Sequence, residues 1–376
     1  MSARQQLRFA PVIACLALVN LAGAAQVDLS RLRLPAGFKI GIFADTHSTP
    51  RMMAISPGGV LLVTTLEEGK VLALPDPNHR GTTEKVVTVL HGLRLPHGIA
   101  FHNGKLYIAE TDKVVVYDWD ENALRVSNPR MIVRLSGGGV GHATRTILFA
   151  NRKLYVSVGS TCNECEENDP IRATVLEFDE DGGNRRIFAR GLRNAVGLAQ
   201  NPVTRTVWVT DNGRDRLGDD VPPDEIDDLG QSGGDFGWPY CYGNKIPDPE
   251  FHNASRCAST IPALVDLQAH SAALGLVFYQ GNMFPSSYRG DLFVAYHGSW
   301  NRHVPTGYKI VRIPMSGPQK NKVEDFITGW LAPGETRHGR YMGRAVDIVF
   351  GGDGSMYISD DSSGMIYRVT YEGGAR

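Results

Sequence analysis

A glycine run delivers one histidine onto an apolar strand: Gly137-Gly-Gly-Val-Gly-His142-Ala-Thr-Arg-Thr-Ile-Leu-Phe149. Imidazole is the side chain best suited to moving a proton near neutral pH. Five other stretches follow the same grammar, a polar or basic residue just before a short apolar run. They are Arg51-Met-Met-Ala-Ile-Ser, Pro96-His97-Gly-Ile-Ala-Phe, Arg193-Asn194-Ala-Val-Gly-Leu, His270-Ser-Ala-Ala-Leu-Gly-Leu-Val-Phe and Arg344-Ala-Val-Asp-Ile-Val-Phe. If the six strands surround one axis, their leading residues meet at one end. Imidazoles and guanidiniums gathered there suit an anionic ligand with carbonyl oxygens. Taken singly, each is as readily a strand cap or a loop contact. The repeated position is what favours function.

The elements that must hold these residues are short strands. His102-Asn-Gly104 is a tight turn between Ile99-Ala-Phe and the run from Lys105 to Ala109, and the other units repeat this layout. The 42 glycines in 376 residues exceed the usual share of roughly 7% and fit many such turns. Helical periodicity is scarce. The expected fold is all-β, a six-bladed β-propeller over residues 26–376, closed by the strand within Leu34–Phe43 against late sequence. Units start about 45 residues apart and spread to about 75 in the fourth and fifth, looser than a strict repeat. The extra length falls in Asp211–Gly243 and Pro247–His270, read here as functional loops.

Bulk properties narrow the class. A formal net charge of −1 gives no electrostatic reason to expect nucleic acid. Arg4 and Arg8 precede an apolar run from Phe9 to Leu21, and Ala22-Gly-Ala24 offers small residues for cleavage, so residues 1–25 read as an export signal. The run is too short to span a membrane comfortably. Periplasmic or secreted location is expected. Val12-Ile-Ala-Cys15 keeps a lipoprotein as the minor alternative. Four cysteines remain, and an even count in an exported chain favours disulfides Cys162–Cys165 and Cys241–Cys257. A zinc site from all four stays open. Haem attachment at Cys162-Asn-Glu-Cys165 lacks its histidine, because Glu166 follows.

The segment from Asp211 to Glu225 is rich in carboxylates and glycine. It suits a hard cation such as calcium, or a solvated acidic loop. His297-Gly-Ser-Trp-Asn301-Arg302 gathers imidazole, indole, amide and cation just after a strand, either as a site or as a structural corner. In order, Pro96-His-Gly-Ile-Ala-Phe, His142-Ala-Thr-Arg-Thr, Gly191-Leu-Arg-Asn194, Asp224-Glu-Ile, Asp235-Phe-Gly-Trp-Pro-Tyr and His297-Gly-Ser-Trp-Asn-Arg resemble the sorbosone dehydrogenase family. That family lies within the soluble sugar dehydrogenases that use pyrroloquinoline quinone (PQQ), and the likeness spans nearly all of residues 26–376.

The resemblance implies PQQ on the axis with a calcium ion (Ca2+) beside it. It implies that His142 is the general base and that Arg193 stabilises charge on the quinone oxygen. It places Asn194 at the cofactor edge, and Gly213 and Arg214 where backbone carbonyls bind calcium. Arg51, Arg302 and Arg344 become candidates for the PQQ carboxylates. His97, His297 and Asn301 join the cofactor-binding set. Two departures stand out. The family's aspartate shortly after the glycine matching Gly159 is absent, since Ser160-Thr161-Cys162 follows. Asp169 or another carboxylate then orients His142, or the base is less activated. The lysine near a PQQ carboxylate also lacks an equivalent, with Arg302 or Lys309 as replacements. The expected partners are a sugar and an external electron acceptor such as a cytochrome c or a quinone. The competing classes are a calcium-dependent lactonase, which would need carboxylates on the axis, and a propeller that binds sugar or protein without turnover.

Overall fold

Alternating apolar runs joined by two-residue turns pair antiparallel with their neighbours, and here they do so in fours. A computed structural model describes residues 27–136, 141–230 and 232–373. The segment read as an export signal, with Cys15, and the glycine-run residues 137–140 lie outside the described residues. Six four-stranded sheets form the blades of a propeller. The innermost strands are Pro50–Ile55, Ile99–His102, Ile147–Ala150, Ala195–Gln200, Ala273–Phe278 and Ala345–Phe350. Phe38–Asp45 is the outer strand of the sixth blade, running antiparallel to Met365–Tyr371 with Phe38 opposite Tyr371, so the ring closes as the sequence suggests.

Apolar clusters between blades make the core. Leu62, Val71, Leu106 and Ile108 join the first two blades, and Val114, Val156 and Leu176 join the second and third. The blades are also tied near the axis, where second-strand or inner-strand hydroxyls donate to a neighbouring blade's carbonyl. Thr64 reaches His97 at 2.9 Å, Thr210 reaches Leu274 at 2.7 Å and Ser359 reaches Arg51 at 2.6 Å. These bonds fix the strand entries that carry the chemistry. At four of those entries the register slips, between Pro50 and Met53, Ala195 and Leu198, Ala273 and Leu276, and Ala345 and Ile348. Bulges of this kind re-aim side chains and are common beside active sites.

Two expectations are corrected. The segments 211–243 and 247–270 are not all loop. They contain Asp224–Asp228 and Val265–Leu267, the third and outer strands of the fourth blade. A short hairpin, Cys241–Tyr242 with Ile246–Pro247, and the helix Ala254–Ser259 fill the remainder. The acidic run Asp224-Glu-Ile-Asp-Asp228 hides its strand because its inward positions are carboxylates rather than apolar groups. Asp227 is fully buried with neither carboxylate oxygen hydrogen-bonded. The second correction concerns sulfur. Cys162 and Cys165 are joined, but Cys241 and Cys257 are buried thiols. Each has another contact: Cys241 Sγ with Thr260 Oγ1 at 3.5 Å, and Cys257 Sγ with the Lys245 carbonyl at 3.6 Å. Burial pushes the Cys241 thiol up to about 12.

Candidate active site

His142 enters the third blade just before its inner strand. Its backbone N–H donates to the Ser160 carbonyl at 2.9 Å, and its Nδ1 lies 3.0 Å from Ser160 Oγ. Ser160 donates its single hydroxyl proton to the Cys162 carbonyl at 2.6 Å. Its oxygen is therefore left to accept, so Nδ1 carries the imidazole proton and Nε2 carries the lone pair. Burial, then the charge of Arg193, push the His142 pKa down to about 3, so the ring is neutral at physiological pH. Gly159 is required by close approach, since a Cβ there would sit 2.5 Å from His142 Cβ. Asp169 plays no part in this. It accepts from Ser136 and from the Ile171 N–H, and a hydroxyl stands where a carboxylate was expected.

Arg193 and Asn194 enter the fourth blade on a turn held by one carboxylate. Both backbone N–H groups donate to Asp211, at 2.8 and 2.6 Å. All five guanidinium N–H groups of Arg193 are used. Nε donates to the Asn163 carbonyl (2.9 Å) and Nη1 to the carbonyls of Asn212 (3.3 Å) and Gly213 (2.9 Å). Nη2 donates to Asn163 Oδ1 (2.8 Å) and Asp215 (3.0 Å). Asn301 Nδ2 reaches the other Asp215 oxygen at 2.8 Å and lies 3.3 Å from His270 Nδ1. A cavity of about 170 Å³ opens among His142, Arg193, Asn194, Gly213, His270, Trp300 and Asn301. Trp300 stands at its edge, 61% exposed.

The other predicted bases form a second group at the entries of blades one, two, five and six. Arg51 Nη1 pairs with Asp361 at 2.6 Å, and Nη2 lies 3.4 Å from His97 Nε2. His297 Nε2 meets the second Asp361 oxygen at 2.8 Å. Arg344 donates to the carbonyls of His297 and Gly298, at 3.1 and 2.7 Å. Burial favours the acid form of Asp361, but the bonds from His297 and Arg51 outweigh it and hold the carboxyl well below its usual range. Burial pushes His297 down to about 4 and His97 well below its ordinary value, so both imidazoles are neutral.

A model of the TrAA12-like family matches residues 32–372. The chain belongs to the TrAA12-like family. A protein of Borreliella burgdorferi is 32% identical over 93% of this chain and 93% of its own length. The pyrroloquinoline quinone-dependent pyranose dehydrogenase of Coprinopsis cinerea is 24% identical over 93% of this chain, which spans 56% of that protein. Among solved structures, the calcium structure of the Trichoderma reesei family AA12 enzyme superposes with a TM-score of 0.80 at 22% identity, covering 93% of this chain and 99% of that one. The holo PQQ domain of the Coprinopsis cinerea pyranose dehydrogenase gives 0.78 at 22% identity, covering 90% and 97%. These likenesses agree with the six-bladed ring.

In this TrAA12-like chain three cations named from the sequence are engaged away from the cavity. Arg302 donates to the carbonyls of Asp219 and Ala269 and pairs with Asp220 at 3.2 Å. The Arg214 side chain is buried against Asp248 (2.6 Å), Glu250 (3.0 Å) and Glu164 (3.3 Å), leaving only its backbone for other work. Lys309 pairs with Asp325 at 2.6 Å. The sequence reading missed Ser160, Asn163, Asp215 and Asp361. Ser160 was within reach, two residues before Cys162 in the departure already noted. Asn163 and Asp361 carry no local signal, because their partners lie on different blades, and Asp215 stood in the acidic segment read only as a cation loop or a solvated one. Zinc also loses its ligands. Cys162, Cys165 and Glu167 are the one metal-like cluster among the described residues, but the two sulfurs are bonded to each other and Glu167 holds Thr161.

Proposed function

We propose that this chain is an exported PQQ-dependent dehydrogenase that oxidises an aldose or sorbosone-type sugar and passes electrons to an external acceptor, a cytochrome c or a quinone. The observation that carries this reading is His142, fixed as the Nδ1–H tautomer with its Nε2 lone pair beside a cavity edged by an exposed tryptophan. The donor set suits an anionic cofactor with carbonyl oxygens. Arg51 Nε is a buried donor without a protein partner, and Asn194 and Asn301 offer amides. Residues Arg51, His97, Asn194, His297, Asn301 and Arg344 would hold PQQ, and the Arg214 carbonyl, with the Gly213 carbonyl that Arg193 also bonds, would face Ca2+. When bound, PQQ supplies a quinone that accepts hydride.

The protein's own part is proton transfer and orientation. His142 Nε2 takes the proton of the sugar's anomeric hydroxyl, and Ser160 keeps the ring from turning. Arg193 has no N–H to spare, so it acts as a fixed positive charge that adds to burial in keeping His142 neutral and favours negative charge developing nearby. Trp300 offers an aromatic face to the sugar ring. The hydrolase alternative asks for axial carboxylates free to hold a metal. Those nearest the cavity have both oxygens engaged: Asp215 by Arg193 and Asn301, Asp224 by the N–H groups of Gly213 and Ala273, and Asp211 by those of Arg193 and Asn194. Adding PQQ and Ca2+ to the apo-protein and following dye reduction with a panel of aldoses tests the proposal. Sugar-dependent bleaching of the dye is expected. Lactone hydrolysis without PQQ, or sugar binding with neither activity, would overturn it.

A further inference from the structure

His142, through Ser160, and Arg193, directly, come from different blades yet both reach the four residues Cys162–Cys165. The Cys162 carbonyl takes the Ser160 proton and thereby decides which nitrogen of His142 is protonated. Asn163, next in sequence, accepts two of the five Arg193 N–H groups, one on its carbonyl and one on Oδ1. Its amide also joins Asp215 in both directions, accepting from the Asp215 N–H at 2.7 Å and donating to the Asp215 carbonyl at 3.1 Å. Trp238 Nε1 donates to the same Asn163 carbonyl at 3.3 Å. The Cys162–Cys165 bond closes this segment, and Glu167 ties its root through the Thr161 N–H and hydroxyl. Trp238, Tyr242 and Ala173 pack around the sulfurs.

We infer that the Cys162–Cys165 loop is a positioning clamp, setting the protonated nitrogen of His142 through the Cys162 carbonyl and the orientation of Arg193 through Asn163. The inference rests on the reading of His142 as the base. Without a fixed Cys162 carbonyl, the Ser160 hydroxyl is free to donate to Nδ1 instead. His142 then carries its proton on Nε2, where it can accept none from a substrate hydroxyl. Asn163 in turn keeps the guanidinium from rotating into the cavity or towards other acceptors. A covalently closed four-residue loop gives both groups one rigid origin.

Imidazole ¹⁵N shifts of the apo-protein test the clamp without cofactor, with the His142 signal assigned by its loss in His142→Gln. The wild type is expected to show His142 as Nδ1–H. Cys162→Ser/Cys165→Ser is expected to move it towards Nε2–H while circular dichroism stays unchanged. If that variant does not fold, treating folded wild type with dithiothreitol opens the same bond, giving two thiols as the reductant cyclises to its own disulfide. In the PQQ- and Ca2+-loaded protein, Asn163→Ala is expected to lose roughly tenfold in kcat with KM for sugar moving less than about threefold. Asn163→Asp, which keeps the acceptor for Arg193, should recover part of the loss. An unchanged tautomer after opening the loop, or an unchanged kcat in Asn163→Ala, would overturn the clamp. If the wild type shows no PQQ-dependent turnover, the dehydrogenase reading fails and the tautomer measurement decides the clamp alone.

Discussion

Two basic groups sit at the same end of the ring, and they differ in what surrounds them. Around His142 and Arg193 the partners are mostly carbonyls and amides, Cys162, Asn163, Asn212 and Gly213, with one carboxylate, Asp215, on Arg193. A cavity remains, and the histidine keeps a lone pair. Around Arg51, His97 and His297 the partner is a carboxylate, Asp361, which bonds the guanidinium and one imidazole at once. Two clusters that look alike as residue types are thus electrostatically unlike. In one, burial first and then the charge of Arg193 suppress protonation of His142, although Arg193 also pairs with Asp215. In the other, charge is largely cancelled within the protein. Basic residues at repeated positions mark where a site is, and their acidic partners decide which part of it is reactive.

The contrast can be broken most sharply at His142. Replacing it with alanine should cut kcat/KM by about 10²–10⁴-fold, the usual range for a lost general base, while PQQ binding measured by fluorescence is kept. Equal losses in both would merge the two clusters into one binding surface. Asp361→Ala should do the opposite. It leaves Arg51 unpaired in a mostly buried place, so unfolding free energy should fall by about 3 kcal/mol in a denaturant titration. The His142 tautomer should not change.

A third expectation sharpens the difference through pH. His142 is neutral above about 3, so kcat/KM should show no acid limb near the ordinary histidine value of about 6.5. An inflection there would mean that the base is not held as described. The smallest effect is expected at Asp227, which lies in neither cluster. Burial, then Asp211 and Asp266, raise its pKa well above the ordinary value. Such a group favours folding below its unfolded pKa of about 3.9 and loses that contribution as pH rises towards the folded value. Asp227→Asn should therefore be more stable than wild type by about 1–2 kcal/mol at pH 8, with the gap closing near pH 4 in paired melts.

Much of the ring was legible because a two-residue period reports a half-buried strand wherever inward positions are apolar. Leu62, Ile108, Val156 and Ile358 are of that kind. The fourth blade broke the code, since Glu225 and Asp227 point inward in place of aliphatic groups. The positions of His142, Arg193 and Asn194 could be read because each stands at a strand entry. Their partners could not. Asn163 meets Arg193 from another blade, and Asp361 meets Arg51 from the far end of the chain. Hydrogen-bond partnership across blades leaves no trace in local spacing. Nor does spacing distinguish the bonded Cys162–Cys165 pair from the thiols of Cys241 and Cys257.

The sixth blade borrows its outer strand from Phe38–Asp45 and the other three from residues 345–371. The other five blades are each built from one continuous stretch of chain, so only the sixth depends on that seam. During synthesis the early strand must wait, solvent-exposed and unpaired, until the late hairpins emerge. The ring therefore closes last at this seam, where the earliest and latest strands of the described chain meet.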